Sequence, residues 1–87
     1  MMSSAELKRK LTEVLERYGP GDSRLQLLIT VSPDSLERLR IEDEKDLIEI
    51  EKRYGCRIHV RKNPNFDIEQ FTIIDIASGE ELASIGD

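Results

Sequence analysis

The chain has one cysteine, one histidine, two tyrosines, two phenylalanines and no tryptophan among its 87 residues, so little of it is equipped for chemistry. Cys56 cannot form an internal disulfide, and without a second thiol it cannot build a zinc knuckle. His59 restricts acid/base work to carboxylates or one imidazole, and no Ser-His or Cys-His signature supplies a nucleophile with an aligned base. The longest apolar run, Leu27 to Ile29, is far short of the ~20 residues a membrane span requires. The opening residues, Met1 to Glu6, have neither the basic segment nor the apolar core of a signal peptide, which points to a cytoplasmic protein. None of these features calls for a cofactor or a metal.

What is present is strongly patterned. A chain of 87 residues makes one domain, 1–87, near the lower end of what can bury its own core. Hydrophobic residues make up 38% and charged residues 36%, a balance too patterned for disorder. The net charge of −5 repels nucleic acid on average, so any nucleic-acid role needs a local basic patch.

Ser3 and Glu6 have the spacing of a capping box, and Leu7, Leu11, Val14, Leu15 and Tyr18 follow as one helical stripe. Gly19-Pro20-Gly21-Asp22 stops that helix. Arg24 to Val31 reads as a largely buried strand, with Leu25, Leu27, Ile29 and Val31 on one face. Ser32-Pro33 is a second helix start, a hydroxyl cap followed by proline at the first helical position. Leu36, Leu39 and Ile41 are candidates for its inner face. Leu47, Ile50 and Tyr54 continue the inner face to Gly55, and Pro33 to Tyr54 fits either one bent helix or two. Cys56, Ile58 and Val60 then alternate with Arg57, His59 and Arg61, giving a strand with one apolar and one basic face. Gln70 to Ile76 and Glu81 to Ile85 make two more strands around the turn Ala77-Ser78-Gly79-Glu80.

The expected fold is α+β: a small mixed sheet of three or four strands packed on one side by helices, in the order α-β-α-β-β(-β). The long helical connection makes the first two strands parallel. The second and third strands are expected to be antiparallel neighbours.

The main functional candidates are Arg57, His59, Arg61 and Lys62, which would project together from one strand and contact phosphates or a partner. The competing reading is a solvated edge whose charges pair with the acidic helix and discourage aggregation. Lys8-Arg9-Lys10 sits among Glu6, Glu13 and Glu16 and reads as an ordinary polar face. The acidic run Glu42 to Glu51 lacks the Asp-x-Asp-x-Asp-Gly pattern of a calcium loop, and most of its carboxylates would radiate around a helix. Gly19 and Gly21 are two apart, which does not make the Gly-x-x-Gly loop of a KH module, and Phe66 and Phe71 are spaced as core residues. Cys56 reads as a small buried thiol.

One resemblance spans about residues 5 to 76. Val31 and Pro33, Leu39, Glu42 and Glu44, Leu47, Ile50, Glu51, Gly55, Ile58, Val60 and Phe66, then Glu69, Gln70, Phe71 and Ile73, follow one another as in the C-terminal small domain of the bacterial ribonuclease E/G family. Asp67-Ile68 stands where many relatives carry a His before the Glu-Gln pair. The family's RNA-cleaving region, with its metal-binding aspartates, is absent from this sequence. The resemblance therefore implies a non-catalytic module that self-associates or joins a parent RNA-processing enzyme. The basic strand offers an RNA-binding accessory module as the alternative, and a stand-alone or designed domain with no ligand is a third reading.

Overall fold

The computed structural model describes residues 4–18 and 25–85. The Ser3 half of the capping box and the Gly19 to Asp22 stop lie outside the described residues. Helix α1 spans Ser4–Tyr18, strand β1 Gln26–Val31, helix α2 Pro33–Arg38, a π-helical turn Leu39–Asp43 and helix α3 Glu44–Tyr54. Strands β2, β3 and β4 are Arg57–Lys62, Phe71–Asp75 and Glu81–Ile85. The fold is α+β, a four-stranded mixed sheet ordered β2-β1-β3-β4.

The most apolar strand lies inside the sheet. β1 pairs in parallel with β2, Leu28 opposite His59, and antiparallel with β3, Leu28 opposite Ile74. The expectation that the second and third strands are antiparallel neighbours is thus corrected, because β1 lies between them. Residues 63–70 explain how. This connection is longer than a typical hairpin loop and contains two tight turns, Phe66 N–H to Asn63 C=O and Gln70 N–H to Asp67 C=O, so the chain reaches the far side of β1. β1 carries apolar side chains on both faces and suits a position flanked twice, whereas the charged face of β2 suits an edge.

The core lies between one face of the sheet and the helices. Leu7, Leu11 and Leu15 of α1, Leu36, Leu39 and Leu47 of the second helical segment, and Leu27, Ile29, Val31, Phe71 and Ile73 of the sheet form one buried cluster. Each such side chain contributes ~1.5–3 kcal/mol by leaving water. Helix α1 packs beside β4, and α2 and α3 pack over β2. No helix among the described residues is long and apolar enough to cross a membrane.

Pro33 to Tyr54 runs as successive helical segments joined through the π-helical turn. Ser32 caps α2, its Oγ accepting the Ser35 N–H at 3.2 Å, and Ser35 Oγ donates to the Ile68 carbonyl at 3.1 Å, tying the helix to the 63–70 connection. Because the helix continues through residue 41, Ile41 falls on the side opposite Leu39 and is 75% exposed. The inward expectation for Ile41 is therefore corrected. The inner position is taken by Asp43, only 6% exposed. Gly55, at φ 65°, ends α3 in the left-handed conformation that glycine adopts without a Cβ penalty.

Candidate functional site: an open sheet face beside a basic edge strand

The face of the sheet away from the helices has no element over it among the described residues. Side chains alternate along each strand, so the residues opposite the core positions Ile58, Val60, Leu27, Ile29, Phe71 and Ile73 share this open face. The register then builds rows across it: His59 beside Leu28 beside Ile74, and Arg61 beside Thr30 beside Thr72. Ile76 extends the β3 column, its N–H donating to the Gln26 carbonyl at 3.0 Å, and is 45% exposed. Leu28 and Ile74 are half-buried. Together these three residues make a small apolar patch that runs from the centre of the face to the end where β1 begins.

Arg57, His59 and Arg61 form a column along the edge of that patch, successive members roughly 7 Å apart along β2. All three are exposed. Arg61 is the anchored member: its Nε donates to Thr30 Oγ1 at 3.0 Å, which satisfies a hydroxyl on a residue only 2% exposed. Lys62, grouped with these three on sequence grounds, has the parity of Val60 and projects toward the helix side. The structure thus brings together three of the four expected basic residues and separates the fourth. Among the described residues, neither Arg57 nor Lys62 has a carboxylate partner. The expected pairing of these charges with the acidic helix is not formed there.

The acidic run behaves differently from a uniformly solvated face. Asp43 and Asp46 converge on Lys8 of α1, with Lys8 Nζ 3.1 Å from Asp43 Oδ1 and 2.5 Å from Asp46 Oδ2. Lys8, expected on an ordinary polar face, instead ties α1 to the π-helical turn and α3. Arg9 is an exposed surface residue of the expected kind, lying loosely between Glu6 and Glu13. Lys8 is held above the ordinary lysine value of 10.5, chiefly by its hydrogen bond to Asp46, with burial opposing and Asp43 reinforcing. No group of three or more His, Cys, Asp or Glu among the described residues is placed to hold a metal ion.

Glu51 appears in the sequence only as a member of the acidic run and of the family pattern, with no contact assigned to it. Its Oε2 accepts the Ile58 N–H at 2.7 Å, so a side chain from α3 reaches the backbone of the edge strand. The signal available was its spacing seven residues before Ile58 across a helix-Gly-strand turn, which brings the two together once the chain reverses. Cys56 is buried as expected, and burial followed by the Glu51 charge pushes its thiol up, away from reactivity.

No family model matches this chain, and neither a curated protein nor a solved structure does.

Proposed function

We propose that this chain is a non-catalytic assembly module, self-associating or joining a larger RNA-processing enzyme, as its resemblance to the small domain of the ribonuclease E/G family implies. The observation that supports this most directly is the uncovered sheet face. Sheets bury their apolar faces against a second layer, and here Leu28, Ile74 and Ile76 adjoin one another with no layer over them among the described residues. Covering that patch is what association would accomplish, with apolar contact as the driving force.

The exposed column of Arg57, His59 and Arg61 favours a second reading, an RNA-binding accessory surface. The aligned cations would contact phosphates while the neighbouring apolar patch lay under the bases. The two readings differ in their response to salt, because phosphate contacts release counterions and weaken steeply as ions are added, whereas apolar association does not.

The test is solution mass by light scattering over a range of concentrations, at low and high salt. A dimer or larger species that persists at high salt, and that Ile74→Glu abolishes without unfolding the chain, is the expected result. A monomer at every concentration counts against self-association. RNA titration of that monomer, with Arg57→Glu/Arg61→Glu as the control, then decides the second reading.

A further inference from the structure

We propose that the free edge of β2 is a docking site for an extended segment in which acidic and apolar residues alternate, added to the sheet as a fifth strand. In the parallel β1–β2 ladder, Arg57 N–H donates to Leu25 C=O and Asn63 N–H to Val31 C=O, so the odd-numbered residues of β2 face β1. The even-numbered residues, Ile58, Val60 and Lys62, turn their backbone groups outward. Glu51 takes the Ile58 N–H. The outward groups of Val60 and Lys62 have no partner among the described residues, and such unpaired edge groups are a template for strand addition.

A strand seated there would lie ~4.8 Å outside β2 and point its side chains alternately to the two sides of the sheet. On the helix side they meet a groove of about 270 Å³ between β2 and the second helical segment. Its apolar lining is Leu36, Leu39, Leu47, Ile48, Ile58 and Val60. Ile48 is 41% exposed at its mouth. The groove is small, mostly apolar and open along β2, which suits inserted side chains. On the open side they meet Arg57, His59 and Arg61.

The charges specify which side chains go where. The groove rim is mixed, with Arg40 beside Glu44 and Glu51, and six of its nine lining residues are apolar, so the helix side suits apolar side chains. The basic column on the other side attracts carboxylates, and opposite charges on adjacent strands stabilise the pairing while like charges oppose it. The same rule disfavours a second copy's β2 as the occupant, since antiparallel pairing would set Arg57, His59 and Arg61 against themselves. The occupant that answers the basic column is an acidic, apolar-alternating segment, here assigned to another protein, with the chain's own β4 as the alternative that the test separates. This site uses the strand edge and not the open-face patch, so it stands or falls separately from self-association.

The probe is a synthetic peptide in which Glu and Val alternate, titrated into the full chain at low salt, with a Lys/Val peptide and a composition-matched block peptide as controls. The expected result is binding of the Glu/Val peptide alone, with slowed hydrogen exchange at the Val60 and Lys62 amides. Arg57→Glu/Arg61→Glu should weaken that binding at least tenfold. Ile48→Glu, at an exposed position outside the core, should weaken it comparably while leaving the circular dichroism of the chain unchanged. Lys62→Pro removes an outward N–H without breaking the ladder to β1 and should also reduce binding. The proposal is overturned by the absence of binding up to about 1 mM peptide, by equal binding of the Lys/Val peptide, or by protection that spares Val60 and Lys62. It is also overturned if the chain alone forms concentration-dependent filaments through β4 of one copy on β2 of the next. Light scattering of the peptide-free chain tells such open-ended filaments, which overturn the proposal, from a discrete dimer through the open face, which does not bear on it.

Discussion

Lys8 and Asp43 meet across the interface of α1 and the π-helical turn, Nζ to Oδ1 at 3.1 Å, with the Asp43 side chain only 9% exposed. Asp43 occupies an inward helical position between Leu39 and Leu47 that would otherwise be apolar, and its Oδ2 has no hydrogen-bond partner among the described residues. A half-satisfied carboxylate is thus held in the protein by one lysine that also reaches Asp46. Removing the lysine strands the charge, whereas removing both charges leaves an ordinary apolar contact.

Lys8→Met should accordingly destabilise the chain by about 2 kcal/mol, the scale of an unpaired buried polar group, read as a shift in the urea midpoint at unchanged slope. Combining it with Asp43→Leu should recover most of the loss, because leucine continues the Leu36, Leu39, Leu47 stripe. If the double variant is as unstable as the sum of the two singles, the residues do not act as a pair.

The same contact fixes a pH dependence. The folded chain holds the Lys8 proton more tightly than an ordinary lysine of value 10.5 would, so the ion pair stabilises fully below that value. Its contribution is lost as pH rises through the higher folded value. The stability difference between the wild-type chain and Lys8→Met should therefore stay constant from neutrality to about pH 10 and narrow above it. A difference that persists undiminished at strongly alkaline pH would mean that the lysine acts by packing its methylene stem and not by its charge.

Ser32 caps α2 and also donates to Ser35 Oγ at 3.0 Å, and Ser35 in turn donates to the Ile68 carbonyl. Ser32→Ala should cost about 1 kcal/mol through the lost cap. Hydrogen exchange should quicken first at the Ser35 amide, which loses its acceptor. Ser35→Ala keeps the cap but frees the 63–70 connection, so it should raise exchange at Phe66 and Gln70 more than at Ser35.

Much of this architecture could be read from the residues. The period of Leu7, Leu11, Val14 and Leu15 names a helix and its buried face, and Ser32-Pro33 names a helix start. The alternation of Ile58 and Val60 with Arg57, His59 and Arg61 names a strand with a basic side. Strand neighbours were not legible, because alternation says which face a residue occupies and not which strand lies beside it. The 63–70 connection could have closed a hairpin or passed across β1. Lys62 was grouped with Arg61 by adjacency, although parity puts neighbouring residues on opposite faces. Ile41 points outward and Asp43 inward because inward positions follow the helical phase, and nothing local reveals that an aspartate at such a position has a lysine waiting on a distant helix. The Glu51 contact with Ile58 depends on the chain reversal at Gly55, which fixes a helix side chain against a strand edge only in three dimensions.

Glu51 and Cys56 provide a test of that reversal. Burial and, after it, the Glu51 carboxylate push the Cys56 thiol up, so an alkylating reagent should modify the native chain far more slowly than the urea-unfolded one, by more than about tenfold. Glu51→Gln removes the charge while keeping an oxygen able to accept the Ile58 N–H. Because burial is the larger cause, the variant should react only a few-fold faster than wild type and remain well below the unfolded rate. Glu51→Ala removes the acceptor as well, leaves a third outward N–H on β2, and should raise hydrogen exchange at Ile58 while the Arg57 amide, bonded to Leu25, stays protected. Equal acceleration at Arg57 and Ile58 would show that the edge strand opens as a unit and that Glu51 holds the strand in place, not one N–H.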